Sequence, residues 1–188
     1  MEAAPSEEFT QHGAILAKLP DFGSLAMSKV VLAALQSYQC GHDLICLSSI
    51  LSVVNTTAVL KDIPQNIKSS DGDFMTLLNI MNTVLSVKES VRAHQFRLRR
   101  VCEIKGLTSI QHIIGRALKR YDQLKNAFNR SEDFREKAQV RSGKWELIAK
   151  SLLHGYSDNV FISMKEIYQR VNLITSHSKD SSLSNSHK

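Results

Sequence analysis

The residues of this sequence that are best suited to chemistry are clustered cations that could bind phosphate. Between residues 91 and 100 the chain has four arginines, one histidine and no acidic residue. A guanidinium offers several donors to phosphate oxygens, and binding to a nucleic acid gains further from the release of counterions. The predicted phosphate-binding residues are Arg92, Arg97, Arg99, Arg100, Lys105, Arg116, Lys119 and Arg120.

A plainer interpretation of the same cations is a solvated helix face. If residues 91–100 are helical, Arg92, Arg99 and Arg100 project to similar sides, because they are seven and eight residues apart. Aromatic side chains that could stack on bases are scarce nearby, with only Phe96 and Tyr121. The pattern therefore predicts contacts with a phosphate backbone more than readout of bases.

The composition predicts a folded protein with an anionic partner. Of the 188 residues, 43% are hydrophobic and 22% are charged, which is ordinary for a globular domain that buries a core. The net charge of +6 favours an anionic partner without naming one. No apolar run approaches the roughly 20 residues that span a bilayer, so we expect no membrane role.

Cysteine usage and the first residues predict an intracellular protein, either nuclear or cytoplasmic. The three cysteines are an odd number and contain no Cys-x-x-Cys pair, which favours reduced thiols over a disulfide framework. The first eight residues are acidic and polar, so we expect no secretory signal there.

Motifs for catalysis and for cofactors are missing from the sequence. It has no Gly-x-x-x-x-Gly-Lys-Ser/Thr phosphate loop and no Asp-Glu-x-His tetrad, so we expect no ATP hydrolysis by this chain alone. Its seven histidines lack the spacing of metal ligands, and no nucleophile elbow supports a hydrolase. We therefore expect no catalytic residue, metal or cofactor in this chain.

Apolar residues at helical spacing predict a mainly α-helical fold. Ser24 is a predicted N-cap, Asp71 or Asp73 is expected to cap a helix start, and Gly155 is expected to end a helix in the left-handed conformation. Residues 129–142 read as an exposed helix or loop, and residues 175–188 as a disordered tail. The predicted helices cover residues 10–20, 25–38, 43–55, 73–90, 100–124 with a break at Gly106, and 145–154.

The segment 70–80, Ser-Asp-Gly-Asp-Phe-Met-Thr-Leu-Leu-Asn-Ile, resembles a specific family motif. It is similar to the Gly-Asp-His-Leu-Thr-Leu-Leu-Asn segment in the helicase-associated region of DEAH-box RNA helicases. Phe74 stands in place of the family's usual His, and Met75 in place of its Leu. The matching residues are Gly72, Asp73, Thr76, Leu77, Leu78 and Asn79.

Three further stretches resemble the same family in the same order. Near the start, Thr10, Gly13, Leu19 and Pro20, followed by Cys40, Asp43, Leu51 and Ser52, are similar to the end of the family's winged-helix domain and the start of the helical region behind it. Cys102, Leu107, Gln123 and Leu124 fit a later helical stretch, where Tyr121 replaces the usual Arg. Gly155 and Asn159 match a helix ending Gly-Tyr that is followed by Asn-Val, with Phe161 in place of Ala.

The resemblance implies a fold and a domain organisation. It covers residues 10–161 and implies a helical, ratchet-like bundle preceded by the end of a winged-helix domain. Residues 1–60 would hold the partial winged-helix end and the helices that follow it, and residues 61–155 would hold the ratchet-like bundle. Residues 156–188 would begin a truncated OB-like segment, with a short β segment, before the tail.

The resemblance also implies a function. The chain would be an accessory C-terminal region of an ATP-dependent RNA helicase that lines the channel for single-stranded RNA. It would be a monomer that packs on the ATPase lobes, which lie outside this chain and hold ATP and Mg, and it would accept an activator or adaptor protein. The alternative is a helical protein-interaction module, derived from a helicase scaffold, that does not bind RNA. Convergence of the basic side chains on one concave wall would favour the first interpretation, and scatter would favour the second.

Overall fold

The chain folds into α-helices joined by turns and short loops. The computed structural model describes residues 10–54 and 58–160, and within these ranges it contains eight α-helices and no strand. The mainly α-helical fold predicted from the sequence is confirmed. The helices are α1 (Gln11–Ala17), α2 (Leu25–Ala33), α3 (Gly41–Leu51), α4 (Ala58–Lys61), α5 (Asp73–Ser90), α6 (Leu98–Lys105), α7 (Gln111–Asn129) and α8 (Trp145–Tyr156).

The sequence predictions for the C-terminal end fall largely outside the described residues. Ser157–Asn159 forms a short 3-10 turn. The predicted β segment and tail belong to residues 161–188, which the structure does not describe. Within the described ranges, no helix is both long enough and apolar enough to cross a membrane.

Helix α3 is the centre of the core. Residues 41–50 are all buried, and α3 contacts α2, α5 and α7. Asp43 is its only charged residue, so α3 offers apolar or small side chains to neighbours on every side. Because α3 packs against helices from both halves of the chain, they share one core, and the domain boundary placed at residue 60 stays a prediction.

Helix α2 begins where the sequence predicts and packs closely on α8. The Met27 backbone N–H donates to Ser24 Oγ at 3.1 Å, so Ser24 is the N-cap. At Gly155 the two helices approach so closely that a Cβ built there would lie 2.1 Å from the Ala26 carbonyl oxygen. Gly155 is therefore a contact residue inside α8, and its prediction as a left-handed helix terminator was wrong. The terminator role belongs to Gly106, which ends α6 with φ +69°.

The basic stretch that was expected to be helical begins as a loop. Helix α5 ends at Ser90, a turn closes between Arg92 and Gln95, and α6 begins only at Leu98. The Arg97 guanidinium donates to the His94 carbonyl at 2.7 Å and so holds the turn. The prediction that a helix aligns Arg92 with the later arginines was therefore wrong.

The start of α5 explains why the motif around it contains both a glycine and a threonine. Gly72 has φ +101°, a conformation that favours glycine because it has no Cβ. Buried Thr76 accepts a hydrogen bond from the Ser69 N–H at 2.8 Å and donates to the Gly72 carbonyl at 3.0 Å. Neither Asp71 nor Asp73 caps the helix with its side chain, so that prediction was wrong.

The loop between α7 and α8 is fastened to the start of α3. The Asp43 carboxylate accepts hydrogen bonds from the backbone N–H groups of Ser142 at 2.8 Å and Gly143 at 3.1 Å. The His42 N–H donates to the Val140 carbonyl at 3.0 Å. Sequence predicted an exposed helix or loop here, but Phe134 is buried. The loop therefore forms a wall against α3.

Candidate functional site

The eight predicted phosphate-binding residues lie on one loop and two helices. Seven of their side chains are exposed, and Arg120 is half-buried. Arg92 and Arg97 are in the loop between α5 and α6. Arg99, Arg100 and Lys105 are on α6, and Arg116, Lys119 and Arg120 are on α7.

Two of the α7 cations hold the fold together. Arg116 Nη2 donates to the Val53 carbonyl at 2.9 Å, just beyond the end of α3, where a positive charge suits the negative end of the helix dipole. Arg120 donates to the Asp21 carbonyl and so fastens the turn before α2. We therefore assign these two arginines a structural role.

One cation of α6 is neutralised by a neighbouring carboxylate, and other predicted phosphate-binding side chains remain available to phosphate. Arg99 Nε lies 2.9 Å from Glu103 Oε1 in an exposed ion pair, which contributes little to stability. Within the described part of the chain, no hydrogen bond or ion pair involves the side chains of Arg92, Arg100 or Lys105. Lys119, exposed on α7, makes none there either. These four are the cations that remain free to bind phosphate.

The available cations on α6 point in different directions. Each residue advances the helix by about 100°, so Arg100 and Lys105 project about 140° apart. Glu103 lies between Arg99 and Arg100 around the helix, which further divides the positive surface. The α6 cations therefore surround the helix instead of forming one concave wall.

Several residues of the segments that resemble the helicase family occupy structural positions, whereas others are exposed. The Gly13 N–H donates to Thr10 Oγ1 at 3.1 Å and so starts α1. Pro20 lies between α1 and α2, and Asp73 opens α5. On α5, Leu77 is buried and Asn79 is exposed, whereas Asn159 lies in the 3-10 turn after α8.

Sequence reasoning missed a cleft of about 370 Å³ between α3, the C-terminal half of α7 and the loop that follows it. Buried Ile45, Phe128 and Ala138 form its apolar floor. The mouth is polar, with the exposed amides of Asn129 and Gln139. A concave apolar surface with a few polar groups around it is the usual form of a ligand site.

A buried polar network borders the cleft. His42 Nε2 lies 3.0 Å from the Tyr121 hydroxyl, and Cys46 Sγ lies 3.5 Å from His42 Nδ1. Burial, together with the nearby positive charge of Arg141, lowers the pKa of His42 to about 4. Burial also raises the pKa of Tyr121 and of Cys46. All three side chains are therefore neutral at neutral pH, and the shift at Cys46 is opposite to the one that activates a thiol.

Charged side chains stand at the mouth of the cleft. Arg141 Nη2 lies 3.2 Å from Glu89 Oε2, and both side chains are nearly half exposed. The Lys125 ammonium lies 5.9 Å from the centroid of the Tyr121 ring. The cleft therefore combines an apolar floor with both a hydrogen-bond donor and an acceptor at its edge.

The sequence held only a faint signal for this cleft. His42 and Cys46 are one helical turn apart, and Tyr121 is one of the few aromatic residues near the basic stretch. Their meeting depends on the packing of α3 on α7, which joins residues 79 positions apart.

No family model, curated protein or solved structure matches this chain. In the part of the chain that is described, no three His, Cys, Asp or Glu side chains are grouped so that they could hold a metal ion. The findings define a mainly α-helical protein with an exposed basic segment at α6 and a cleft between α3 and α7.

Proposed function

We propose that this chain is an RNA-binding accessory region of a larger ATP-dependent RNA helicase of the DEAH-box type. The observation that carries the proposal is the exposed basic segment 92–105, which has five basic side chains and one acidic one. The resemblance of the α5 start to the family motif is its second ground, and the matching residues Gly72 and Thr76 shape the start of that helix. The ATPase lobes, with ATP and Mg, would belong to another part of the parent protein.

In this proposal the RNA is held through its phosphates. Arg92, Arg100, Lys105 and Lys119 supply the contacts, while Arg116 and Arg120 keep the helices in place. Because these cations lie on different sides of α6, the RNA would have to bend around the helix, which a flexible single strand can do and a rigid duplex cannot. Such binding is largely independent of base sequence and is sensitive to salt. The accessory region would thus guide RNA while the lobes supply the motion.

A second function, docking of a partner protein, is favoured by the scatter of the α6 cations around the helix and by an exposed apolar side chain among them. Ile104 of α6 is 70% exposed and lies beside Arg100. The Arg99–Glu103 ion pair also gives α6 a mixed-charge surface. An exposed isoleucine among charges is more typical of a protein contact than of a phosphate surface. Under this alternative the chain binds no RNA.

Reversing the charge of three available cations tests RNA binding. We expect the triple substitution Arg92→Glu, Arg100→Glu and Lys105→Glu to weaken binding of a labelled single-stranded RNA, measured by fluorescence anisotropy across a salt series. The slope of log K against log salt should become shallower by about 2, since each phosphate contact of a single strand contributes about 0.7. The melting temperature should change little, because all three side chains are exposed.

A matched control distinguishes the loss of these three phosphate contacts from the change in the net charge of the protein. Lys29→Glu, Lys144→Glu and Lys150→Glu change the net charge equally at exposed sites on and before other helices. We expect this control to retain most of the RNA affinity and the wild-type slope. Equal loss in both variants would contradict a localised surface. Absence of binding by the wild type at low salt would contradict the RNA proposal and favour the docking alternative.

A further inference from the structure

The cleft between α3 and α7 adjoins the basic segment. Glu89 at its mouth lies in the last turn of α5, and Arg92 follows three residues later in the loop. Lys125, on the α7 side of the mouth, and Arg141 add further cations beside the opening. An RNA strand that contacts Arg92 would therefore pass close to the cleft.

The size and floor of the cleft suit one flat, largely apolar group. Its volume of about 370 Å³ is near the lower end of the range of ligand pockets. The floor residues Ile45, Phe128 and Ala138 carry no polar side-chain atom, so a group resting on them makes its hydrogen bonds to the polar side chains around them.

The Glu89–Arg141 pair presents a donor and an acceptor side by side. Only Nη2 of the guanidinium faces the carboxylate, at 3.2 and 3.3 Å from its two oxygens. The other N–H groups of Arg141 and the remaining lone pairs of Glu89 are left to bind a ligand. The amides of Asn129 and Gln139 offer further donors and acceptors at the mouth.

Nucleobases have the complementary pattern. The Watson–Crick edge of every base carries a donor next to an acceptor: N1–H and O6 in guanine, N3–H and O4 in uracil, and an amino group beside a ring nitrogen in adenine and cytosine. An ion pair that offers one acceptor and one donor can therefore match any of the four bases. This geometry indicates the chemical class of the ligand and does not select one base.

We propose that the cleft receives a single unpaired nucleobase of the bound RNA strand, an inference that rests on the proposed function. The base lies on the apolar floor, its edge contacts Glu89 and Arg141, and Lys125 contacts a neighbouring phosphate. Proteins commonly bind single-stranded RNA by taking an unstacked base in this way.

A charge-neutral double substitution tests the proposal. Glu89→Met with Arg141→Met removes one negative and one positive charge, so the net charge and the phosphate contribution stay the same. We expect the affinity for a short uridine RNA to fall about tenfold, as is typical when one base contact is lost. The affinity for a ribose-phosphate strand of equal length without bases should stay as in the wild type.

Comparing the uridine RNA with the strand that lacks bases distinguishes failure of this inference from failure of the RNA proposal. If wild type and double variant bind uridine RNA equally well, the cleft takes no base although the chain still binds RNA. If the wild type binds neither strand, the proposed function fails and this inference fails with it. Equal weakening for both strands would mean that the substitutions disturb the phosphate surface, and it would also overturn the inference.

A second measurement on the wild-type protein does not depend on how the variant folds. RNA containing 4-thiouridine is photocrosslinked to the full chain, and the attached peptides are mapped by mass spectrometry. We expect crosslinks at Tyr121, Lys125 or Asn129. Crosslinks confined to residues 92–105 would overturn the base-binding cleft and leave the phosphate surface standing.

Discussion

Gly155→Ala is expected to lower the free energy of unfolding by about 3 kcal/mol, the upper end of the usual cost of overpacking. The added Cβ would lie 2.1 Å from the Ala26 carbonyl oxygen and 2.7 Å from Val30 Cγ2. Backbone of α2 cannot move aside as a flexible side chain can, so α2 and α8 must separate. Chemical denaturation followed by circular dichroism measures the loss, which should appear as a lower midpoint.

Gly115→Ala is the matched control for this prediction. Gly115 also lies inside a helix, α7, but its added Cβ would approach only the end of the Leu98 side chain, at 3.4 Å. Alanine is favoured over glycine inside a helix by about 1 kcal/mol, so this variant should be as stable as the wild type or more stable. If Gly155→Ala were equally harmless, the close approach of α2 to α8 at this residue would be wrong.

The free energy of unfolding is expected to fall by about 3 kcal/mol between pH 7 and pH 4 through His42 alone. The folded protein holds the pKa of His42 at about 4, below the ordinary value of 6.5, so the unfolded chain binds a proton more readily. Stability is therefore fully present above pH 6.5 and is lost as pH falls toward 4. The size of this loss follows from the difference between the two pKa values, at 1.36 kcal/mol for each pKa unit. About 2 kcal/mol of the loss should appear already by pH 5.

His42→Gln identifies the source of this pH dependence. Denaturation midpoints measured between pH 7 and pH 5 should vary less with pH in this variant, although it is less stable at pH 7 because the contact with Tyr121 changes. His112→Gln, at an exposed site on α7, controls for the loss of a histidine and should keep the wild-type dependence. An unchanged pH dependence in His42→Gln would show that His42 is not held neutral by burial.

Features that depend only on residues close together in the sequence could be predicted from the sequence. The apolar spacing of residues 25–38 and 145–154 placed α2 with its π-helical extension Ala34–Tyr38, and α8, close to their observed bounds. Ser24 as an N-cap and Gly106 as a helix break were also right. These signals are local, because a helix is built from hydrogen bonds and side-chain contacts within four residues.

Only the tertiary structure decided what the individual side chains do. Arg116 and Arg120 look like phosphate ligands in the sequence, yet they bind backbone carbonyls of distant turns. Gly155 looks like a helix end, yet it allows α2 to approach α8. Nothing in the sequence placed His42 beside Tyr121, since they are 79 residues apart and meet only when α3 packs on α7. The sequence determined the helices through contacts between near neighbours, whereas the roles of these residues arose from contacts between distant ones.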